Sequence, residues 1–344
     1  MSAPAPISPN VPPPPPPPPP PYGAFTAGIL DRYAVAPASL PAGSVDGLCP
    51  APRELPDNHL LHGYRLRRCV GSGGFGVTYL ADDELLGRSV VIKEHFPHSL
   101  CERRLGTLNV ELREGADASG LEWSRQNFMR EARLLSTFDH HNIVRIFSFF
   151  EAYNTHYYVT EHVDGYSLGH FARLHYNKGT RISQNELYGL MVRLLDALDY
   201  LHSRRVLHLD VKPDNILLTR NGRPVLIDFG AAHEGFGDSG TGVVETVGFS
   251  PPEQGSGGEL GPWSDIYAFG ATLCYLLTGN APSAGAQRAL YDNHEPLASR
   301  AALVGYYNRD LLAGIDRALS PSVESRYRSV AEWMADLRQP IVEE

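Results

Sequence analysis

Residues 208–215 read His208-Leu209-Asp210-Val211-Lys212-Pro213-Asp214-Asn215, and Asp228-Phe229-Gly230 begins thirteen residues after Asn215. The octapeptide follows a segment with Leu187, Leu190, Met191, Leu194, Leu195, Leu198 and Leu201 at helical spacing. Ser183 and Glu186 open that helix as a capping box. In the loop behind it an acid, a lysine and an amide stand at i, i+2 and i+5. Phosphoryl transfer needs these three types together: a carboxylate to orient a hydroxyl and accept its proton, a cation near the terminal phosphate, and an oxygen ligand for magnesium. Asp228 leaves the apolar run Val225-Leu226-Ile227, so its carboxylate emerges from a strand end. A hard oxygen ligand there suits magnesium, which takes one or two carboxylates plus phosphate oxygens. Two short β-prone runs, 216–218 and 225–227, flank Asn221-Gly222 and predict a small hairpin.

Upstream, Val70-Gly71-Ser72-Gly73-Gly74-Phe75-Gly76-Val77 sets Gly71, Gly73 and Gly76 in a G-x-G-x-x-G spacing. Glycine lets a backbone approach phosphates with no side chain between, although glycine clusters also simply make turns. This cluster lies between two β-prone runs rather than between a strand and a helix, which disfavours a dinucleotide fold. Val90-Val91-Ile92-Lys93 ends a third strand in a lysine, and Glu131 follows 38 residues later on a helix expected over 126–138. A glutamate on the cleft side of that helix can hold Lys93 toward an α/β-phosphate. The plain readings are a solvated lysine and a surface glutamate.

The runs 64–70, 77–81, 89–92, 143–150 and 156–161 predict a β-rich lobe, and helices expected over 264–277, 309–318 and 329–338 predict a helical lobe after it. The connection falls at 161–165 and places a cleft between the lobes, where ligands bind. Residues 94–125 make a long link before the Glu131 helix. It reads as a solvated insertion, with its arginines Arg103, Arg104 and Arg113 offering an alternative role in positioning the helix.

Residues 1–57 differ in texture from the rest, with ten consecutive prolines from Pro12 to Pro21 and no helical or strand period up to Pro56. Such a run favours a polyproline II rod. The leader is expected to be disordered, acting as a spacer or as a ligand for a proline-binding domain. The chain has 344 residues, 42% of them hydrophobic, enough for a proper core over 58–163 and 164–340. A formal charge of −9 argues against a dedicated nucleic-acid binder. Cys49, Cys69, Cys101 and Cys274 form no C-x-x-C pair and read as structural thiols of a reducing compartment. No start of the chain has the pattern of a signal peptide, and the apolar run 268–278 is about half the length of a bilayer span. The expectation is a cytoplasmic protein with no membrane segment in this chain.

In their order, these segments resemble the eukaryotic-like (Hanks-type) serine/threonine protein kinases of bacteria, from about Tyr64 to Arg338. Thr246-Val-Gly-Phe-Ser-Pro-Pro-Glu253 resembles the segment that closes the activation loop, with Pro252-Glu253 as the Pro-Glu of A-P-E. Asp265 lies in a stretch similar to the buried helix that anchors the catalytic loop, and Arg326 would pair with Glu253. The resemblance implies an α+β bilobal fold, with a small β-rich N-lobe, a larger α-helical C-lobe and an ATP cleft between. It also implies ATP, Mg2+ or its substitute Mn2+, and transfer of the γ-phosphate to serine or threonine of protein substrates in bacterial signalling.

The same resemblance implies roles for single residues. Asp210 would be the base, Lys212 would neutralise the γ-phosphate, and Lys93, held by Glu131, would position the α/β-phosphates. Asn215 and Asp228 would hold the metal. Adenine would lie between Val70, Val77 and Val91 above and Leu217 below, with Thr160 at the back and the backbone of Glu161 and Val163 as the hinge. Thr246 would bridge Asp210 and Lys212, and Lys212 with Thr246 matches serine/threonine rather than tyrosine kinases.

Three positions depart from the family. The His-Arg-Asp arginine is Leu209, which removes the usual partner of a phosphorylated activation loop. Val91 replaces an alanine over adenine, and Pro251 replaces the alanine of A-P-E. None of these handles phosphate or metal, which disfavours a dead pseudokinase. Two rivals remain: a nucleotide-binding scaffold recruiting partners through its prolines, and a small-molecule kinase of the same fold. The second lacks a peptide-binding segment like Thr246 to Glu253.

Overall fold

The computed structural model describes residues 54–74, 76–104, 106–237 and 245–337. The proline run from Pro12 to Pro21, Cys49, Ser239, Thr241 and Arg338 lie outside them. The first lobe contains strands β1 (Leu60–Leu61), β2 (Tyr64–Ser72), β3 (Gly76–Asp83), β4 (Arg88–His95), β5 (Cys101–Arg103) and β6 (Val110–Leu112). Helix α1 (Ala118–Leu135), β7 (Ile146–Ala152) and β8 (Thr155–Glu161) complete it. Six strands pair antiparallel in the order β1-β2-β3-β4-β8-β7. Side chains alternate across a strand, so directly paired residues share a face. Val77, Glu94 and Tyr157 therefore point to one side, while Thr78, Lys93 and Tyr158 point to the other.

After β9 (Gly165–Ser167) the chain is mostly helical: α2 (Leu168–Asn177), then α3 (Gln184–Ser203). The Ser183 hydroxyl accepts the Glu186 N–H at 3.3 Å and the Glu186 carboxylate accepts the Ser183 N–H at 2.9 Å, so the capping box that opens α3 is formed. Then come β10 (Val206–Leu207), β11 (Ile216–Thr219), β12 (Pro224–Leu226), β13 (His233–Glu234), α4 (Pro252–Ser256) and α5 (Pro262–Thr278). The chain continues through α6 (Gly285–Leu290), α7 (Ala301–Val304), α8 (Arg309–Ala318) and α9 (Val330–Leu337). Helix α5 is buried almost all round, as its mostly apolar sequence requires, and Ser264, Asp265 and Thr272 are buried with it. The main core gathers α3, α5, α8 and α9 around Leu194, Phe269, Leu312 and Trp333.

Backbone contacts join the lobes at the connection and behind α1. Only residues 162–164 separate β8 from β9, and β9 pairs with β11. The segment after α1 also docks on β12: Val144 N–H donates to the Leu226 carbonyl at 2.9 Å, and Leu226 N–H to the Asn142 carbonyl at 2.8 Å. Residues 143–145, expected as part of a strand, serve that docking instead.

Three expectations need correction. Helix α1 starts eight residues before 126, because Asp117 caps it through the Ser119 N–H and Ser124 meets the buried His95 at 3.0 Å. The link 94–125 is no solvated insertion. Its hairpin β5–β6 covers one face of the sheet, burying Glu94, Phe96, Cys101, Arg103 and Val110. The Arg103 guanidinium meets the Glu94 carboxylate at 2.8 Å, and that carboxylate also accepts the Tyr79 and Tyr157 hydroxyls at 2.7 and 2.6 Å. Such charge is tolerable in a core only when each lone pair finds a donor. The leader, finally, ends before 57: Leu55 is buried in this core, and its N–H donates to the Tyr79 hydroxyl at 3.0 Å.

Candidate active site

The loop 208–215 is held from beneath by one carboxylate. Asp265, wholly buried on the first turn of α5, accepts the His208 N–H at 2.9 Å and the Leu209 N–H at 2.8 Å. His202, at the end of α3, lies 2.8 Å from the same carboxylate. Burial opposes the charge on Asp265, but His202, His208 and the backbone donors hold its carboxyl below the usual range. Leu209 adopts a left-handed φ of 59°, a costly conformation for leucine that the two bonds at Asp265 help to enforce. Its side chain packs with Leu207 and Leu260, against Ala231 and Phe236. An apolar plug thus occupies the place where the resemblance expects an arginine.

Asp210 faces three donors. Asn215 Nδ2 donates to Oδ2 at 2.7 Å, Lys212 Nζ lies 2.8 Å from Oδ2, and the Thr246 hydroxyl donates to Oδ1 at 2.7 Å. Lys212 Nζ donates to that hydroxyl at 3.1 Å, so Thr246 bridges Asp210 and Lys212, the contact that the resemblance implies. Thr246 takes one lone pair of Oδ1, and a carboxylate oxygen has a second with which to accept a hydroxyl. Asn215 spends its amide nitrogen on Asp210, which leaves its oxygen for a cation.

Across the cleft, Lys93 Nζ lies 3.2 Å from Glu131 Oε1 and 3.1 Å from Asp228 Oδ1. Burial would discharge this ammonium, yet Glu131, Tyr158 and Asp228 together keep its pKa well above the ordinary lysine value. Lys93 in turn holds the Asp228 carboxyl below the usual range, so both stay ionised at neutral pH. Asp228 has a left-handed φ of 66°, which turns its carboxylate out of the strand direction. Phe229 is buried against Phe138 and His208, with ring centroids 5.5 and 4.7 Å apart. This packing fixes the turn that carries Asp228. Two oxygen side chains, Asn215 and Asp228, fit a hard divalent cation that draws its remaining ligands from phosphates and water.

For adenine, the register of the sheet separates the expected residues. Val91 pairs with Thr160 and shares the cleft face with Lys93. Val70 sits at a bulge in β2 and is 44% exposed; Leu217 lies on β11 opposite Ser167, and Val163 is buried in the connection. Val77 is a correction. It pairs with Glu94 on the far face and is wholly buried in the first lobe's core, so it cannot roof a nucleotide. Thr78, opposite Lys93, stands on the cleft face instead. A one-residue slip exchanges the faces of a strand. Glu161 can offer adenine only its carbonyl, since its N–H donates to the Arg145 carbonyl at 2.9 Å.

The glycines also divide. A Cβ at Gly76 would lie 2.2 Å from the Glu94 carbonyl oxygen, whereas one at Gly73 would meet nothing within 4 Å and one at Gly71 only Thr78 at 3.9 Å. Gly76 is needed by the fold, while the space over Gly71 and Gly73 is open to a ligand. Gly76→Ala is expected to lower the thermal midpoint by roughly 5 °C through overpacking. Gly73→Ala should leave the midpoint unchanged and weaken ATP binding several-fold, as differential scanning fluorimetry and calorimetry on the two variants would register.

Beyond the loop, the Thr246 N–H donates to Ser250 Oγ at 2.9 Å, and Ser250 N–H returns to the Thr246 carbonyl at 2.9 Å. Glu253 and Arg326 form a buried, bidentate pair at 2.7 and 3.0 Å. Sequence reading missed Thr78 and Tyr158, the second of which donates to Glu131 Oε1 at 2.7 Å. Nothing in His156-Tyr157-Tyr158 tells which tyrosine faces the cleft.

Comparison with known proteins agrees with this geometry. The protein kinase domain model matches residues 64–310. The chain is similar to serine/threonine-protein kinase PknA of Nostoc sp., 32% identical over 295 residues that cover 81% of this chain and 47% of PknA. Serine/threonine-protein kinase D of Synechocystis sp. is 35% identical over 236 residues, covering 65% of this chain and 42% of that one. The chain thus spans less than half the length of these relatives. Among solved structures, the apo form of PpkA-294 superposes with a TM-score of 0.74 at 31% identity, over 83% of this chain and all of that one. The kinase domain of Mycobacterium tuberculosis PknI, at 21% identity and a TM-score of 0.60 over 83% and 98%, shares the fold. Among the described residues no helix is long and apolar enough to cross a membrane. A domain match over most of its length, and relatives of one kind, make this chain a member of the protein kinase family, alongside the bacterial serine/threonine kinases.

Proposed function

We propose that this chain transfers the γ-phosphate of ATP to serine or threonine hydroxyls of protein substrates, in bacterial signalling. One observation carries the reading: the Asp210 carboxylate, the Lys212 ammonium and the Thr246 hydroxyl meet at one point, with Asn215 bonded to the same carboxylate. Asp210 orients the acceptor hydroxyl and takes its proton. Lys212 neutralises the charge that builds on the transferring group, and Thr246 holds lysine and base in register. Lys93, kept in place by Glu131, positions the α/β-phosphates; Asn215 and Asp228 hold the divalent cation. A divalent cation held by these two oxygens would offset the charge of the phosphates. Manganese satisfies the same two oxygen ligands. Positioning and charge neutralisation supply most of the catalysis, because the transition state is loose. Val70, Thr78, Val91 and Leu217 enclose adenine, Thr160 closes the back, and Glu161 and Val163 form the hinge.

Mass spectrometry of the purified chain after incubation with ATP and magnesium tests this directly, reporting turnover and autophosphorylation sites together. No phosphate on the chain or on a generic acceptor such as myelin basic protein would overturn it in favour of a nucleotide-binding scaffold. The free thiols Cys69, Cys101 and Cys274 support a reducing, cytoplasmic setting, and the run from Pro12 to Pro21 suits a proline-binding partner.

With Leu209 in the arginine's place, no loop phosphate is needed for assembly. Thr246→Ala should cut turnover roughly 10- to 100-fold, as expected for losing hydrogen bonds to charged partners. Alanine at Ser239 or Thr241 should leave turnover within about twofold. Full loss at either would show that activation runs through loop phosphorylation after all.

A further inference from the structure

We propose that Tyr158 is a positioning residue that holds Glu131, and with it helix α1, in the catalytic arrangement independently of Lys93. This rests on the kinase reading above. Glu131 Oε1 accepts three donors: the Tyr158 hydroxyl at 2.7 Å, Lys93 Nζ at 3.2 Å and the Phe229 N–H at 3.2 Å. The shortest of the three comes from the tyrosine. Its ring also packs on Phe128 of the same helix, with centroids 4.9 Å apart. Phe128 and Glu131 lie one turn apart, so Tyr158 grips α1 at two points on one face.

The need for such a grip follows from the competition over Lys93. Its ammonium is shared between Glu131 and Asp228. The phosphates draw on that ammonium, and the cation draws on Asp228. The three N–H donors of Lys93 are thus divided among Glu131, Asp228 and the phosphates, whereas the Tyr158 hydroxyl and the Phe229 N–H hold Glu131 from outside that competition. Tyr158 is buried, and burial together with Glu131 pushes its phenol well above the ordinary value, so it stays a donor. The apolar plug at Leu209 leaves no cation at that loop position through which a loop phosphate could do the same task.

The test is a double-substitution cycle in the full chain, with Tyr158→Phe, Glu131→Ala and both together. ATP–magnesium affinity is read by calorimetry, kcat and KM by phosphate incorporation, and folding by the thermal midpoint. Phenylalanine keeps the ring against Phe128, so Y158F should hold the wild-type midpoint while losing about tenfold in kcat/KM for ATP, the scale of one hydrogen bond to a charged group. In the E131A background the same change should alter kcat/KM for ATP by less than about twofold, since its partner is already gone. Equal losses in both backgrounds, or none in the first, would reject the proposal and leave Tyr158 as packing. Should the wild-type chain itself transfer no phosphate, the kinase reading fails instead, which separates the two.

Discussion

Asparagine at Asp210 is expected to slow phosphotransfer about 1,000-fold while ATP binding stays near wild type. The substitution keeps the shape and most of the bonds of the carboxylate. Asn215 and Lys212 both meet Oδ2, which an amide oxygen replaces, and the Thr246 hydroxyl can accept from an amide nitrogen as well as donate to Oδ1. What disappears is the ability to take a proton. The nucleotide contacts assigned to Lys93 and Asp228 lie on other elements and are untouched. Transfer of labelled phosphate to myelin basic protein, compared with ATP affinity in the same preparations, separates the two effects. A variant with wild-type turnover would mean that Asp210 is not the base.

The second large effect is on stability. Arg326→Ala should lower the free energy of unfolding by about 3–5 kcal/mol, the cost of leaving a buried charge without its partner. The guanidinium bonds both oxygens of Glu253 and also donates to the carbonyls of Ser320, Pro321 and Trp263, with its plane over the Tyr267 ring at 4.8 Å. Ser264 shares the Glu253 carboxylate at 2.9 Å, next to Asp265 on α5. One pair therefore ties the end of the Thr246 segment to the helix that holds the catalytic loop. Loosening it should reduce turnover along with stability, while Glu253→Gln, which keeps an acceptor, should cost less. Urea denaturation of the three proteins measures this, and a loss below about 1 kcal/mol for R326A would show the pair to be dispensable.

Much of the site was legible in the chain itself. The 208–215 loop and the Asp228 turn are local arrangements, with their chemistry fixed by spacing over a few residues, and Thr246, Glu253 and Arg326 came from the resemblance. The helices α3 and α8 were also legible, since a capping box and an apolar period of 3.6 leave little choice. The faces of the first sheet were not. Val90, Val91 and Ile92 are all apolar because β4 is covered on both sides, by the cleft and by the β5–β6 hairpin, so no alternation marks which residue points where. Val77 was placed one residue off on β3, where it faces the first lobe's core with Tyr79 and Ala81, and Thr78 and Tyr158 went unnoticed.

Glu94 and Arg103 have the same explanation. Each reads as a solvated charge in isolation, and only the fold of 94–112 back onto the sheet brings them to 2.8 Å among two tyrosines. Sequence alone determined which chemical groups this protein possesses and how they are spaced within each loop and helix, because those depend on neighbours along the chain. The tertiary structure alone decided which face of each strand lines the cleft, which charges are buried and that Tyr158 reaches Glu131. Those depend on pairings between residues far apart in sequence, for which a single strand carries no local mark.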